Sequence, residues 1–221
     1  MEPAPLGAST PAAQTPTGVP AFPTTPPVAT PQMNSTPDSV HVATMQRKPK
    51  PWAVSDSGLS FIGEWESGTM NGVVRIFQKK GHIDVTVSEG MILQVYLDNK
   101  GNPTVGCGHL VVPADHLKTG DVITANRAKE LLAKDLNVVE AAINSKVNVP
   151  LYQYEYDALV SILFNTGASG PADDISDEVN SGSYERIPAY IKKFRVRNKK
   201  LLDRRESEAN MFGTGVYDAS H

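Results

Sequence analysis

The hydrophobic period changes twice along this chain, and that order leaves few architectures open. Behind Ser55 or Ser57 as a cap, Leu59, Ile62, Trp65 and Glu66 recur at helical spacing, until Gly68 and the Asn71-Gly72 pair end the run. Alternating, β-branched stretches follow: VVRIF (73–77), IDVTV (83–87) and ILQVYL (92–97). KKGH separates the first two, and DNKGN leads from the third into PTVGCGHLVV, which is the pattern of a β-meander. Helical spacing then returns. Thr124 caps a long amphipathic run with Ala128, Leu131, Leu132, Leu136, Val139, Ala142 and Ile143 on one side, broken by Pro150. A second helix over 153–165 carries Tyr156, Leu159, Val160, Leu163 and Phe164, apolar enough to be central, and Gly167 and Gly170 stop it. Shorter helices fit 174–180, 184–194 and 201–212. A helix, then strands, then helices predicts an α+β fold, with a small sheet lobe, a larger helical lobe and a cleft between them.

The first 52 residues do not join this pattern. They are rich in Pro, Thr, Ala and Ser, and hold almost no large apolar residue before Trp52. Such a segment cannot bury enough surface to offset its ordering entropy, so residues 1–52 are expected to be a disordered arm and 53–221 the folded domain. The formal net charge of −3 provides no global basic field, and no nucleic-acid partner is expected. A local basic run, KKFRVRNKKLLDRR (192–205), is positioned to meet an acidic polymer. The single cysteine, Cys107, excludes an intrachain disulfide and a Cys-rich zinc site; it reads as a small core residue. Asp84, His82 and Glu89 form no recognisable ligand set, so neither a metal nor a cofactor is expected. No apolar run reaches bilayer-spanning length, and the N-terminus lacks the basic start and apolar core of a secretory signal. The expectation is synthesis in the cytoplasm without an export address.

Two carboxylates stand out by position. Glu66 ends the first helix beside Trp65, where apolar walls would disfavour its charge and let it hold a proton. Asp98 lies at the strand-to-turn junction of DNKGN, a polar place where a carboxylate stays ionised and acts on water; Thr104 across the turn offers a hydroxyl to hold that water. Two carboxylates in opposite environments are what glycoside hydrolysis uses. Asp before such a turn is also an ordinary turn former, and a Glu at a helix end is ordinarily solvated.

The stretch YLDNKGNPTVGCGH (96–109) resembles the hairpin signature of phage-type lysozymes, Y-x-D-x-x-G-x-x-T-I-G-x-G-H. GLSFIGEWES (58–67), ITANRAKELLAKDL, VPLYQYEYDALVSILFNTG and LLDRRESEANMF are similar, in order, to the family's other helices. The resemblance runs from about Ser55 to Phe212 and implies a muramidase cutting the β-1,4 bond between N-acetylmuramic acid and N-acetylglucosamine, with inversion. It implies that Asp98 activates or positions water with help from Thr104. It places Asn165 and His109 on the substrate-binding side, His109 chiefly as a hydrogen-bonding residue of the hairpin. Arg204 and Arg205 are expected to pair with Glu206 and Glu208.

One departure from the family pattern concerns the acid. An extra hairpin, about 69–90, intervenes between Glu66 and Asp98, and Glu66 is followed by Ser67 rather than Gly. Glu89, followed by Gly90, has the family's spacing to Asp98 and competes with Glu66. The helix favours Glu66, which is preferred. The competing functions are a lytic transglycosylase acting on the same bond and a wall-binding protein that keeps only the fold. In biological use, a phage endolysin released by a holin stands beside an antibacterial effector of a contractile (type VI) secretion machine. For the latter an immunity protein that plugs the cleft is expected. Beyond peptidoglycan strands no obligate partner is expected, and the chain is read as a monomer.

Overall fold

The computed structural model describes residues 32–33, 41–42, 46–79 and 81–221; the greater part of the proline-rich arm lies outside the described residues. Two short strands, β1 (Gln32–Met33) and β2 (His41–Val42), pair with each other. Helix α1 (Asp56–Ser67) starts where Ser55 Oγ accepts the Gly58 N–H at 3.1 Å, with Asp56 in the first turn complementing the helix dipole. It ends at Gly68, whose φ of 85° favours glycine. Leu59, Phe61, Ile62 and Trp65 are all buried, so this helix is enclosed rather than merely one-sided.

The meander forms one antiparallel sheet in chain order: β3 (Gly72–Gln78), β4 (Gly81–Ser88), β5 (Met91–Leu97), β6 (Pro103–Gly106) and β7 (His109–Leu110). The Gly-Cys-Gly segment divides the expected last strand in two. The sheet is fastened to α1 by backbone contact at the β4–β5 turn. A Cβ on Gly90 would lie 2.7 Å from Glu64 N, and one on Gly63 would lie 2.9 Å from Gly90 O, so neither position admits a side chain without displacing main chain. Across β5 and β6, Val95 and Val105 pack on Leu131. The other face gathers Val85, Val87 and Ile92 with the half-buried Val74, Ile76, Ile83 and Tyr96, and no helix contributes to that cluster.

Helix α2 (Ala125–Lys146) is capped by Thr124 and already ends before Pro150, its chain turning extended at Val147. Helix α3 (Gln153–Thr166) buries every residue from Glu155 to Leu163 and is the axis of the helical lobe. Helix α4 (Gly170–Asn180) begins earlier than expected, because Pro171 sits in the first turn, where its missing N–H costs nothing. A 3-10 turn (Tyr184–Arg186) and the short α5 (Ile187–Ile191) divide the stretch expected as one helix. Helix α6 (Lys199–Thr214) precedes β8 (Val216–Tyr217), which pairs with β2.

Residues before the boundary expected at residue 52 already pack on the helical lobe. Lys48 and Leu151 exchange two backbone hydrogen bonds, and Arg47 pairs with Glu155 at 2.7 Å. Trp52 is buried against Tyr156, its indole N–H donating to Lys48 O. Composition concealed this because the segment buries one large ring and otherwise relies on polar pairing with Asn144 of α2, Glu155 of α3 and the chain between those helices.

Asp157 ties three elements together. Fully enclosed, it accepts the Ser55 N–H (3.1 Å), the Ser55 hydroxyl, the Gln153 amide (2.9 Å) and the Tyr217 hydroxyl. Burial pushes its carboxyl above the ordinary range, with these donors opposing. Between the ordinary and raised values the folded state holds more protons, so this group's contribution to stability falls as pH rises through that interval. Asp157→Ala should cost about 3 kcal/mol by stranding these donors, read by denaturant unfolding. Asp157→Asn should flatten the pH dependence of the same transition.

Candidate active site

The turn after β5 is built around Asp98. Its Oδ1 accepts the N–H groups of Lys100 and Asn102, both at 2.8 Å, and its Oδ2 accepts the Asn102 side-chain amide at 3.1 Å. The Asn102 backbone bond, against a small opposing cost of burial, holds the Asp98 carboxyl below the usual carboxylate range; the Asn102 side chain and the Lys100 and Gly101 N–H groups add to this. Thr104, opposite Tyr96 in the ladder, is buried and donates its hydroxyl to Asn102 O, leaving its lone pairs as acceptors. Burial raises the Tyr96 phenol, and the acidic neighbours Asp98, Cys107 and Glu66 raise it further. Tyr96 is therefore within electrostatic reach of both the turn carboxylate and the α1 carboxylate.

Glu66, in the last turn of α1, is one-third exposed. The apolar wall expected around it is replaced by a cation: Arg204 of α6 donates Nη1 to Glu66 at 2.7 Å and Nε to Glu208 at 3.1 Å. Arg204 also stands 6.0 Å from the Trp65 ring. Glu208 is fully buried; it accepts Ser161 Oγ at 2.6 Å and the guanidinium of Arg205. Arg205 in turn donates to Asn165 Oδ1 at 2.7 Å and to Phe194 O at 3.0 Å. Two arginines thus share one buried glutamate, and the outer one orients Glu66. The expected partner Glu206 is exposed and takes no part; Glu208, on the inner face of α6, serves both arginines. The basic run of 192–205 consequently ends inside the protein, since Arg204 and Arg205 are buried. Sequence reasoning paired Arg204 within its own helix and missed its contact with Glu66, since nothing local announces a contact across 138 positions.

The competing Glu89 sits in the β4–β5 turn with φ of 52° and pairs with Lys129 of α2. Asn165 is exposed, but its carbonyl is committed to Arg205, so only its amide N–H groups face outward for a ligand. His109 departs from its substrate-side expectation. It is buried, with Nδ1 2.8 Å from Asp135 and Nε2 3.0 Å from Asp115, so both nitrogens are occupied in fastening β7 to α2. Burial alone would raise Asp115, but the Val112 N–H, His109 and Lys134 more than offset it and bring the carboxyl to about 2. That contribution to stability is present above the ordinary carboxylate pKa and is lost as pH falls from about 4 to about 2. His109→Ala should destabilise the fold by about 3 kcal/mol in chemical unfolding, by leaving two carboxylates facing an empty site. Cys107 is buried beside Met91, and burial pushes its thiol far up, with Glu66 adding, so it is no nucleophile. Among the described residues no group of three His, Cys, Asp or Glu side chains is placed to hold a metal, and no helix is long and apolar enough to cross a membrane.

The model of the phage lysozyme family matches residues 86–208, more than half of the chain. The chain belongs to the phage lysozyme family. It is 36% identical over 147 residues to the endolysin of Salmonella phage P22, covering 64% of this chain and 94% of that protein. It is 32% identical over 143 residues to the endolysin of Acyrthosiphon pisum secondary endosymbiont phage 1, covering 61% and 95%. A crystal structure of a P22 lysozyme mutant superposes with a TM-score of 0.57 at 30% identity, covering 74% of this chain and 100% of that one. The muramidase domain of SpmX from Asticaccaulis excentricus gives 0.52 at 25% identity, covering 76% and 99%. The lysozyme match begins at Thr86, inside β4, and so leaves out β3 and the helix that carries Glu66.

Proposed function

We infer that this lysozyme is a muramidase that hydrolyses the β-1,4 bond between N-acetylmuramic acid and N-acetylglucosamine in peptidoglycan. The reading is supported by membership of the phage lysozyme family together with the Asp98 turn, whose N–H donors hold the carboxylate beside the buried Thr104. In this reading Asp98, held ionised by its turn, takes a proton from a water that Thr104 helps to position. The water oxygen attacks the anomeric carbon as the glycosidic C–O bond breaks. Glu66 gives its proton to the departing sugar oxygen, and the proton on Asp98 returns to Glu66 through solvent, restoring the enzyme. Direct attack by water inverts the anomeric centre.

Purified sacculi digested with the protein should yield new reducing muramic acid ends, initially of inverted configuration by NMR. Anhydro-muramic ends would assign a lytic transglycosylase instead, and no ends at all would leave a wall-binding fold. The β3–β4 hairpin is, on this reading, an insertion between the two catalytic halves. The protein acts on the wall in the periplasm as a monomer. Of the two routes there, the long proline-rich arm and extra hairpin favour injection by a contractile machine over holin release. Removing residues 1–30 should then abolish delivery between cells while lysis by added protein persists. An immunity protein occupying the cleft would accompany that route.

A further inference from the structure

We propose that the β3–β4 hairpin forms an additional substrate subsite that takes the carboxylate-bearing stem peptide of peptidoglycan, resting on the muramidase reading above. Its position comes from the ladder. Residues opposite each other share a face, and alternate residues along a strand share it too. Tyr96 opposes Thr104, and Asp98 follows Tyr96 by two, so these three define the cleft face of the sheet. Tyr96 belongs to the same side-chain cluster as Ile92, Val85 and Val87, which extends to Val74, Ile76 and Ile83. In that extension Val74 opposes Val85, and Ile76 opposes Ile83. The apolar stripe of the hairpin is therefore continuous with the face that holds the reacting bond. No helix contributes to that cluster; Val85 and Val87 are buried in it, while Val74, Ile76 and Ile83 are half-buried.

The end of the hairpin supplies charge. A methyl built on Gly101 would lie 3.9 Å from Lys79 Nζ, so the Lys79 ammonium stands against the turn that Asp98 organises. Among the described residues Lys79 is exposed and makes no ion pair, unlike Arg75, which is matched by Asp84 at 2.8 Å on the same hairpin. A cation at the hairpin tip against the Asp98 turn, together with the apolar stripe on the same sheet, fits one part of murein. The glycan itself is uncharged once its lactyl group is amidated, whereas the stem peptide presents alanyl methyls and carboxylates together. Continuity with the cleft and charge complementarity both assign the stem as occupant.

The test compares full-length protein with Lys79→Gln, Lys79→Glu and the double variant Ile76→Ser/Ile83→Ser. The substrates are intact sacculi and glycan strands stripped of stems by an amidase. The ratio of kcat/KM for intact over stripped strands should fall about fivefold in Lys79→Gln. It should fall further in Lys79→Glu and in the double variant, through KM. Lys79 is exposed at a turn, so its variants read the subsite without a folding penalty. Co-sedimentation of each variant, in a Glu66→Gln background, with both mureins reads the same preference without cleavage. If the preference for stem-bearing murein survives in every variant, or both substrates weaken equally, the subsite is overturned. If unaltered protein releases no reducing ends yet retains the Lys79-dependent preference in sedimentation, the muramidase reading fails and the subsite stands.

Discussion

Glu66→Gln should cut about 10³-fold more slowly than the unaltered protein on purified peptidoglycan, while Glu89→Gln keeps its activity. The separation follows from where each carboxylate is anchored. Glu66 is held by Arg204 at the end of α1, close enough to raise the Tyr96 phenol, which also feels Asp98. Glu89, in the β4–β5 turn, is engaged with Lys129 on α2. Gln preserves the shape of Glu66 and one acceptor for Arg204, so the fold should persist and the loss should appear in kcat. Arg204→Met separates orientation from proton donation. It leaves Glu66 in place without its guide and uncovers Glu208, so both activity and stability should drop, the latter by about 3 kcal/mol. Full activity in Glu66→Gln together with a dead Glu89→Gln would reverse the assignment of the acid.

The contrast between these two glutamates shows what local pattern conveys. Ser55 and Thr124 as caps, the meander and the enclosed helix around Leu159 are legible because each is a short-range preference written within one or two turns. The Asp98 half of the site is equally local: one hairpin supplies the carboxylate, its N–H donors and Thr104. The other half is assembled across the chain. Arg204 reaches Glu66 from α6, a contact with no local trace, although the support of both arginines by Glu208 follows helical spacing within α6. The same physics explains why Arg47 and Lys48 pack on the helical lobe despite their proline-rich surroundings, through pairing with Glu155 and Leu151. The hydrogen-bonding role expected of His109 is met, but its partners were not legible. A motif gives its position in the hairpin, but only the fold shows Asp115 and Asp135 closing on both nitrogens.

Asp98→Asn should lower turnover about 10³-fold with little change in melting temperature, and this is the variant that separates catalysis from turn formation. Asn keeps a carbonyl oxygen able to accept the Lys100 and Asn102 N–H groups that Oδ1 accepts now, so the turn survives. What it loses is the ionised oxygen that takes a proton from water. If Asp98 only shaped the turn, Asp98→Asn would remain active. Thr104→Ala should cost about tenfold, one hydrogen bond to the attacking water, because its hydroxyl is positioned by Asn102 O yet keeps its acceptor capacity. The pH dependence carries a signed test of the same group. Asp98 is depressed by its N–H donors, so the acidic limb of kcat/KM should lie below the ordinary carboxylate range. Asn102→Ala removes the side-chain donor to Oδ2 while leaving the backbone N–H to Oδ1. It should therefore move that limb to higher pH, toward the value of a free aspartate. A limb that stays in place would mean that another group sets it, and that Asp98 does not act as the base.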